Sequence, residues 1–162
     1  LASVRKTVEV MKEEGVQYAL MHTTNLYPTP YSHVRLGAMI ELMREFSDVP
    51  VGLSDHTLDS LACISALALG AQIIERHFTD HKNRVGPDII CSMDENELAE
   101  LIESANKISM MLGGSKEPHI DEQVTIDFAF TSIVTKKKIF AGELITKDNN
   151  FKASVDKVIS YT

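Results

Sequence analysis

The chain has 162 residues, 44% hydrophobic and 24% charged, with a formal net charge of -7. This balance suits a globular domain or a piece of one and excludes a disordered tract, and the acidic excess argues against a nucleic-acid surface, which needs a basic stripe. No apolar run approaches the roughly eighteen residues of a membrane span, and Cys63 and Cys91 are too few and too far apart for a disulfide framework, so a reducing cytoplasm is the expected setting.

The first segment, Ala2 to Glu14, reads as a helix with Val4, Val8 and Met11 near one face and Gly15 as its stop. Its charges alternate, without the basic-then-apolar order of a signal peptide. With no initiating Met, the chain is expected to begin inside a longer parent. A short strand in "VQYALMHTTN" and a Pro-punctuated loop, "LYPTPYSH", follow. Helical spacing resumes from Val34 to Phe46 and stops before Pro50. "VPVGLSDHT" reads as a second strand, Leu58 to Leu69 as a helix closed by Gly70, and "AQIIERHFT" as a third strand. A loop with Gly86 and Pro87 leads to a helix from Asp94 to Leu112, ended by Gly113 and Gly114. The order α-β-α-β-α-β-α calls for a parallel sheet with crossover helices. From about His119 the helical period fades, and short β-like runs around a Gly-Glu turn suggest the start of a second, β-rich module.

Side chains alternate faces along a strand, so residues two apart point the same way. Ser54 and His56 therefore share a face with Asp55 opposite, and Glu75 and His77 share a face with Arg76 opposite. Thr23 and Asn25 form a like pair in the first strand. Parallel α/β folds build their sites at the C-terminal ends of their strands. The alternation thus gathers Asn25, Ser54, His56, Glu75 and His77 at one rim. Two imidazoles with open positions suit a divalent metal. A single strand-end histidine is commonly a hydrogen-bonded loop residue, and it is the matching of two that points to a site. An unpaired Glu75 carboxylate facing inward would need a cation or a reacting water nearby. His22 has the parity of Leu20 and is expected to pack against helices. His77 and His81 fall on a strand end and a loop and are not read as a zinc pair, while His33 and His119 receive no role. The "YPTPY" loop is equally a rigid turn or a substrate contact. On spacing alone, Asp88 in "GPDI" reads as a turn residue, and the methionines as core filler.

The strings "HTTNLYPTPYSHVRLGAM", "VGLSDHT", "ALGAQIIERHFTD", "GPDIICSMDENEL" and "EQVTIDFAF" closely resemble bacterial N-acetylneuraminate (sialic acid) synthases, nearly unbroken from Leu1 to about Phe151. The resemblance implies a TIM barrel followed by a small antifreeze-like (SAF) domain. Residues 1–118 would supply the last three βα units of the barrel, and 119–162 a linker and truncated SAF domain. It implies condensation of phosphoenolpyruvate with N-acetylmannosamine and water to give N-acetylneuraminate and phosphate. Mn²⁺ or Mg²⁺ would be held by His56 and His77. Glu75 would act as acid/base or water-orienting group, Asn25 and Ser54 would contact phosphoenolpyruvate, and Tyr27 and Asp88 would hold the amino sugar. In the family's domain-swapped homodimer the SAF domain continues into a Lys-Arg-Pro-Gly segment, whose arginine reaches the partner subunit's sugar site. Here the chain reads "FKASVDKVISYT", and no arginine follows Arg84. The phosphate-binding lysines of the first half-barrel are also not in this sequence, so the 162 residues alone are expected to be inactive. A synthase for legionaminic or pseudaminic acid, or a non-catalytic remnant, are the alternatives.

Overall fold

The computed structural model describes residues 1–146 and 151–154. The chain divides into two compact units, Leu1–Gly114 and a second that starts at Ser115.

In the first unit the elements run α1 (Ala2–Glu13), β1 (Leu20–Thr23), α2 (Leu36–Glu45), β2 (Val51–Asp55), α3 (Leu61–Ala68), β3 (Ile73–Arg76) and α4 (Glu95–Met111). This is the alternating order read from the sequence, with shorter strands. The three strands form one parallel sheet in the order β1-β2-β3. Its register aligns Met21 with Gly52 and Gly52 with Ile73. Two residue pairs further along each ladder, Thr23 lies beside Ser54 and Ser54 beside Glu75.

The two faces of this sheet differ in chemistry. Leu20, Leu53 and Ile74 point to the helices and join a core of Val34, Met39, Val51, Ala62, Ala66 and Ala71. A second cluster packs Cys63, Met93 and Leu101 with Ile74 and Leu98, so α3 and α4 share one apolar seam. The opposite face carries Met21, Gly52 and Ile73 in one layer and Thr23, Ser54 and Glu75 in the next.

Local chemistry sets the helix ends. Asp94 accepts from the Glu97 N–H at 3.0 Å while the Glu97 carboxylate accepts from the Asp94 N–H at 2.9 Å, a capping box that starts α4. Gly70, at φ 102°, lets the chain reverse after α3 so that the Ala71 N–H reaches the Ala66 carbonyl at 2.9 Å. No helix among the described residues is long and apolar enough to cross a membrane.

The second unit corrects one expectation. A helix, α5 (Gln123–Ala129), occupies part of the stretch read as β-like. Local bonds override the weak periodicity there. The Glu122 carboxylate accepts from the His119 N–H at 2.9 Å, a His119 ring nitrogen accepts from the Asp121 N–H, and Gln123 donates to Asp127 one turn on. β4 (Ser132–Thr135) then pairs antiparallel with β5 (Phe151–Ser154). The Gly-Glu turn is present, with the Glu143 N–H bonded to the Phe140 carbonyl at 3.0 Å. The final stretch "VDKVISYT", at the end of the expected SAF segment, lies outside the described residues.

Gly52 is the tightest point of the sheet. A Cβ there would stand 2.3 Å from the Ile73 carbonyl oxygen and 2.7 Å from Ile73 Cβ and Met21 Sδ. Since the closest obstacle is backbone, Gly52→Ala must spread β2 from β3. A loss of about 1–3 kcal/mol is expected from such overpacking, read as a lower urea midpoint, and an unchanged midpoint would contradict this packing.

Candidate active site

His56 is the first residue after β2 and His77 the first after β3, so the parallel register brings the two imidazoles to the same end of the sheet. Their ring centroids lie 5.3 Å apart at 66°. Tyr27 completes a three-ring cluster, 4.1 Å from His56 and 5.7 Å, edge-on, from His77. It comes from the loop after β1. That loop is fastened to His56 twice: the Thr29 N–H donates to the His56 carbonyl at 2.8 Å, and His56 Nδ1–H donates to the Thr24 carbonyl at 3.0 Å. The second bond fixes the tautomer, because a carbonyl can only accept, and it leaves the His56 Nε2 lone pair uncommitted.

Ser54 and Glu75 lie side by side in the register, and Ser54 Oγ donates to Glu75 Oε1 at 2.8 Å. Glu75 keeps the face that strand parity gives it, and its carboxylate is not unpaired. Its partner is the cross-strand serine, and its side chain is exposed. Ser54 and His56 are 8% and 5% exposed, so the site has a rigid floor and an open Glu75 side. Thr23 Oγ1, in the same layer as Ser54, is buried with no hydrogen-bond partner, leaving one donor free toward this group.

The other sequence-derived residues fall further out. β1 ends at Thr23, so strand alternation stops before Asn25, which is exposed. Asp88 sits at φ 64° and heads a 3-10 turn (Ile89–Cys91), its carbonyl accepting from Ser92 Oγ at 2.8 Å. No hydrogen bond or ring contact joins Asn25 or Asp88 to the three-ring cluster among the described residues. His22 is buried and donates Nε2–H to the Val34 carbonyl at 2.8 Å, a packing role.

On the opposite face of the same strand ends, Asp55 and Arg76 form an ion pair whose side chains are 2% and 1% exposed. Arg76 also donates to Thr57 Oγ1 at 3.3 Å, to the Thr57 carbonyl at 2.8 Å and to the Asp59 carbonyl. Strand parity puts Asp55 and Arg76 on that face, but the alternation alone does not say that they meet. Cys63, beside Asp55, has its thiol pushed up to about 12, first by burial and then by the Asp55 charge. It is therefore a packed thiol with no nucleophilic character at neutral pH.

Among the described residues no group of three or more His, Cys, Asp or Glu side chains is poised around one ion. The side chains that could hold a metal are the imidazoles of His56 and His77. The pair fits such an ion in one respect that the structure supplies: the His56 Nδ1–H is spent on a backbone carbonyl, the arrangement that metal-ligating imidazoles adopt.

Comparison with known proteins gives this geometry a context. The NeuB family model matches residues 1–117. The chain is 40% identical over 151 residues to an uncharacterized protein of Methanocaldococcus jannaschii, covering 92% of this chain and 44% of that one. It is 36% identical over 153 residues to the N,N'-diacetyllegionaminic acid synthase of Campylobacter jejuni, covering 92% and 46%. The crystal structure of the N-acetylneuraminic acid (sialic acid) synthetase of Leptospira borgpetersenii in complex with citrate matches with a TM-score of 0.70 at 29% identity, over 78% of this chain and 45% of that one. The chain thus spans less than half the length of the relatives it matches. With more than half of its residues matched by the family model, the chain belongs to the NeuB family.

Proposed function

We propose that the protein carrying this chain condenses phosphoenolpyruvate with a 2-acetamido sugar and water to give a nonulosonic acid and phosphate, with N-acetylmannosamine as sugar and N-acetylneuraminate as product. The observation that carries this reading is the His56–His77–Tyr27 ring cluster beside a Ser54–Glu75 hydrogen bond, at the ends of neighbouring parallel strands in a NeuB-family chain. Legionaminic acid as product is the second reading, favoured by the 36% identity to a legionaminic acid synthase. On either reading residues 1–118 are the last three βα units of a TIM barrel and 119–162 a linker and the start of an SAF domain. The complete protein would be a cytoplasmic, domain-swapped homodimer.

The chemistry assigns a role to each side chain. A divalent ion, Mn²⁺ or Mg²⁺, held by His56 and His77 would supply Lewis-acid polarisation of the open-chain sugar's aldehyde oxygen. The enolpyruvyl methylene carbon forms the new C–C bond to the aldehyde carbon. Water then adds to the resulting cationic C2, and phosphate departs with cleavage of its C–O bond. Glu75 takes one proton of that water and passes it to the new alkoxide, and the second passes from the C2 hydroxyl to the departing phosphate as the ketone forms. The Ser54 hydroxyl, donating to Oε1, orients the carboxylate for the transfer. Tyr27, packed against His56, and Asp88 would hold the amino sugar, and Asn25 and Ser54 would contact the enolpyruvyl group.

The test is a product assay on the complete enzyme with phosphoenolpyruvate, Mn²⁺ and a panel of 2-acetamido sugars, with His56→Ala as control. Metal-dependent phosphate release and a nine-carbon keto acid from N-acetylmannosamine are expected, both lost in the control. Turnover only with another sugar selects the second reading. No phosphate release with any sugar, or full activity in His56→Ala, removes both.

Glu75→Gln separates acid/base work from architecture. The amide still accepts from Ser54 but cannot take a proton, so kcat should fall about 10²–10⁴-fold, with bound metal and melting temperature unchanged. An unchanged kcat with a lowered melting temperature would make Glu75 a structural residue.

A further inference from the structure

Each of the two histidines follows directly after one member of the Asp55–Arg76 ion pair, and we infer that this pair is a positioning device which sets the spacing and orientation of His56 and His77 from the opposite face of the sheet. The inference rests on the two-histidine reading of the site given above.

The argument begins with where the guanidinium puts its bonds. Asp55 and Arg76 are direct partners in the register, so their ion pair cross-links β2 and β3 at the last residue of each strand. Arg76 also holds Thr57 through both its hydroxyl and its carbonyl. One guanidinium therefore grips the residue before His56 and the residue after it, while its own backbone leads into His77. The Asp55 carboxylate closes the same loop by accepting from the Thr57 N–H at 3.1 Å and from Thr57 Oγ1 at 2.9 Å. His56 thus sits on a short chain segment pinned at both flanks. His77 is pinned on its far side, where its carbonyl accepts from the Met93 N–H at 2.8 Å.

Energetics make geometry the better account of the pair. A buried ion pair pays a desolvation cost that largely offsets its attraction, so as a source of stability an apolar pair of similar volume does as well. An apolar pair could not hold the Thr57 and Asp59 carbonyls. Those bonds extend the brace outward: Asp59 accepts the Tyr31 hydroxyl, which belongs to the same loop as Tyr27. Arginine suits the task because its planar fork reaches several acceptors at fixed angles, which a lysine ammonium on a flexible stem does not.

The experiment compares the complete wild-type protein with His56→Ala, Arg76→Lys and Thr57→Val. Mn²⁺ affinity is read by the electron paramagnetic resonance of free Mn²⁺, and the visible absorption of bound Co²⁺ reports ligand geometry. Measurements are made well below each variant's melting temperature, with folding checked by circular dichroism. Arg76→Lys should bind Mn²⁺ about 10–100-fold more weakly, the usual effect of removing support behind a metal ligand, and shift the Co²⁺ bands. Thr57→Val, which keeps both charges and removes one bridging hydroxyl, should weaken binding less and shift the bands in the same sense. A folded Arg76→Lys protein with wild-type Mn²⁺ affinity and Co²⁺ spectrum would overturn the inference. Should Arg76→Lys not fold, wild-type behaviour of Thr57→Val overturns it. Wild-type binding that is lost in His56→Ala but kept in Arg76→Lys rejects the positioning pair alone. Binding indifferent to His56→Ala rejects the metal site as well.

Discussion

Everything at this site depends on the register between β2 and β3. With Ser54 beside Glu75 and Asp55 beside Arg76, one ladder places a hydrogen-bonded polar pair on the open face and an ion pair on the helix-covered face. Since side chains alternate faces, a slip of one residue would turn a charged group of one strand against the apolar seam and separate it from its counter-ion. Leaving one member of a buried pair unpartnered is the costly outcome. The register is thus strongly specified, and the two histidines that follow the strands inherit it.

Gly52 and the loop after β1 bring the remaining parts into range. The absent side chain at Gly52 lets Ile73 and Met21 close over β2 one layer below Ser54, which draws the strand ends together. The loop then folds back across His56, exchanging bonds with it in both directions, so that Tyr27 lies on the imidazole. Tyr31 fastens the same loop to Asp59, whose carboxyl is held below its usual range by that hydroxyl and then by the Leu61 N–H. A ring wall, an imidazole pair and a carboxylate are in this way carried by backbone that is hydrogen-bonded on both sides of the sheet.

Much of this was legible in the residues alone. Period-two alternation is enough to pair Ser54 with His56 and Glu75 with His77, and to send Asp55 and Arg76 the other way. The alternation could not show that Ser54 bonds Glu75, because that depends on register between strands. The Arg76 brace was hidden for the same reason, since its loop acceptors on Thr57 and Asp59 lie 19 and 17 residues away in sequence. Asn25 lies beyond the last paired residue of β1, where alternation no longer applies. Tyr27, by contrast, sits in a loop with no periodicity at all, where the residues alone leave a rigid turn and a substrate contact equally open and only the resemblance singles out this side chain. α5 is not legible because it is only seven residues long, and the capping box before it, on His119 and Glu122, belongs to the 3-10 turn Ile120–Glu122, while α5 has no side-chain cap of its own.

The central claim is that the ends of β2 and β3 converge on one metal held by two histidines. It is tested most directly by growing crystals of the complete protein with Mn²⁺ and collecting anomalous diffraction above and below the manganese absorption edge. The account predicts an edge-dependent peak bonded to His56 Nε2 and to a ring nitrogen of His77, with no other His, Cys, Asp or Glu of residues 1–114 bound to it. A peak at any other group of side chains, or none beside these two imidazoles at millimolar Mn²⁺, would contradict it.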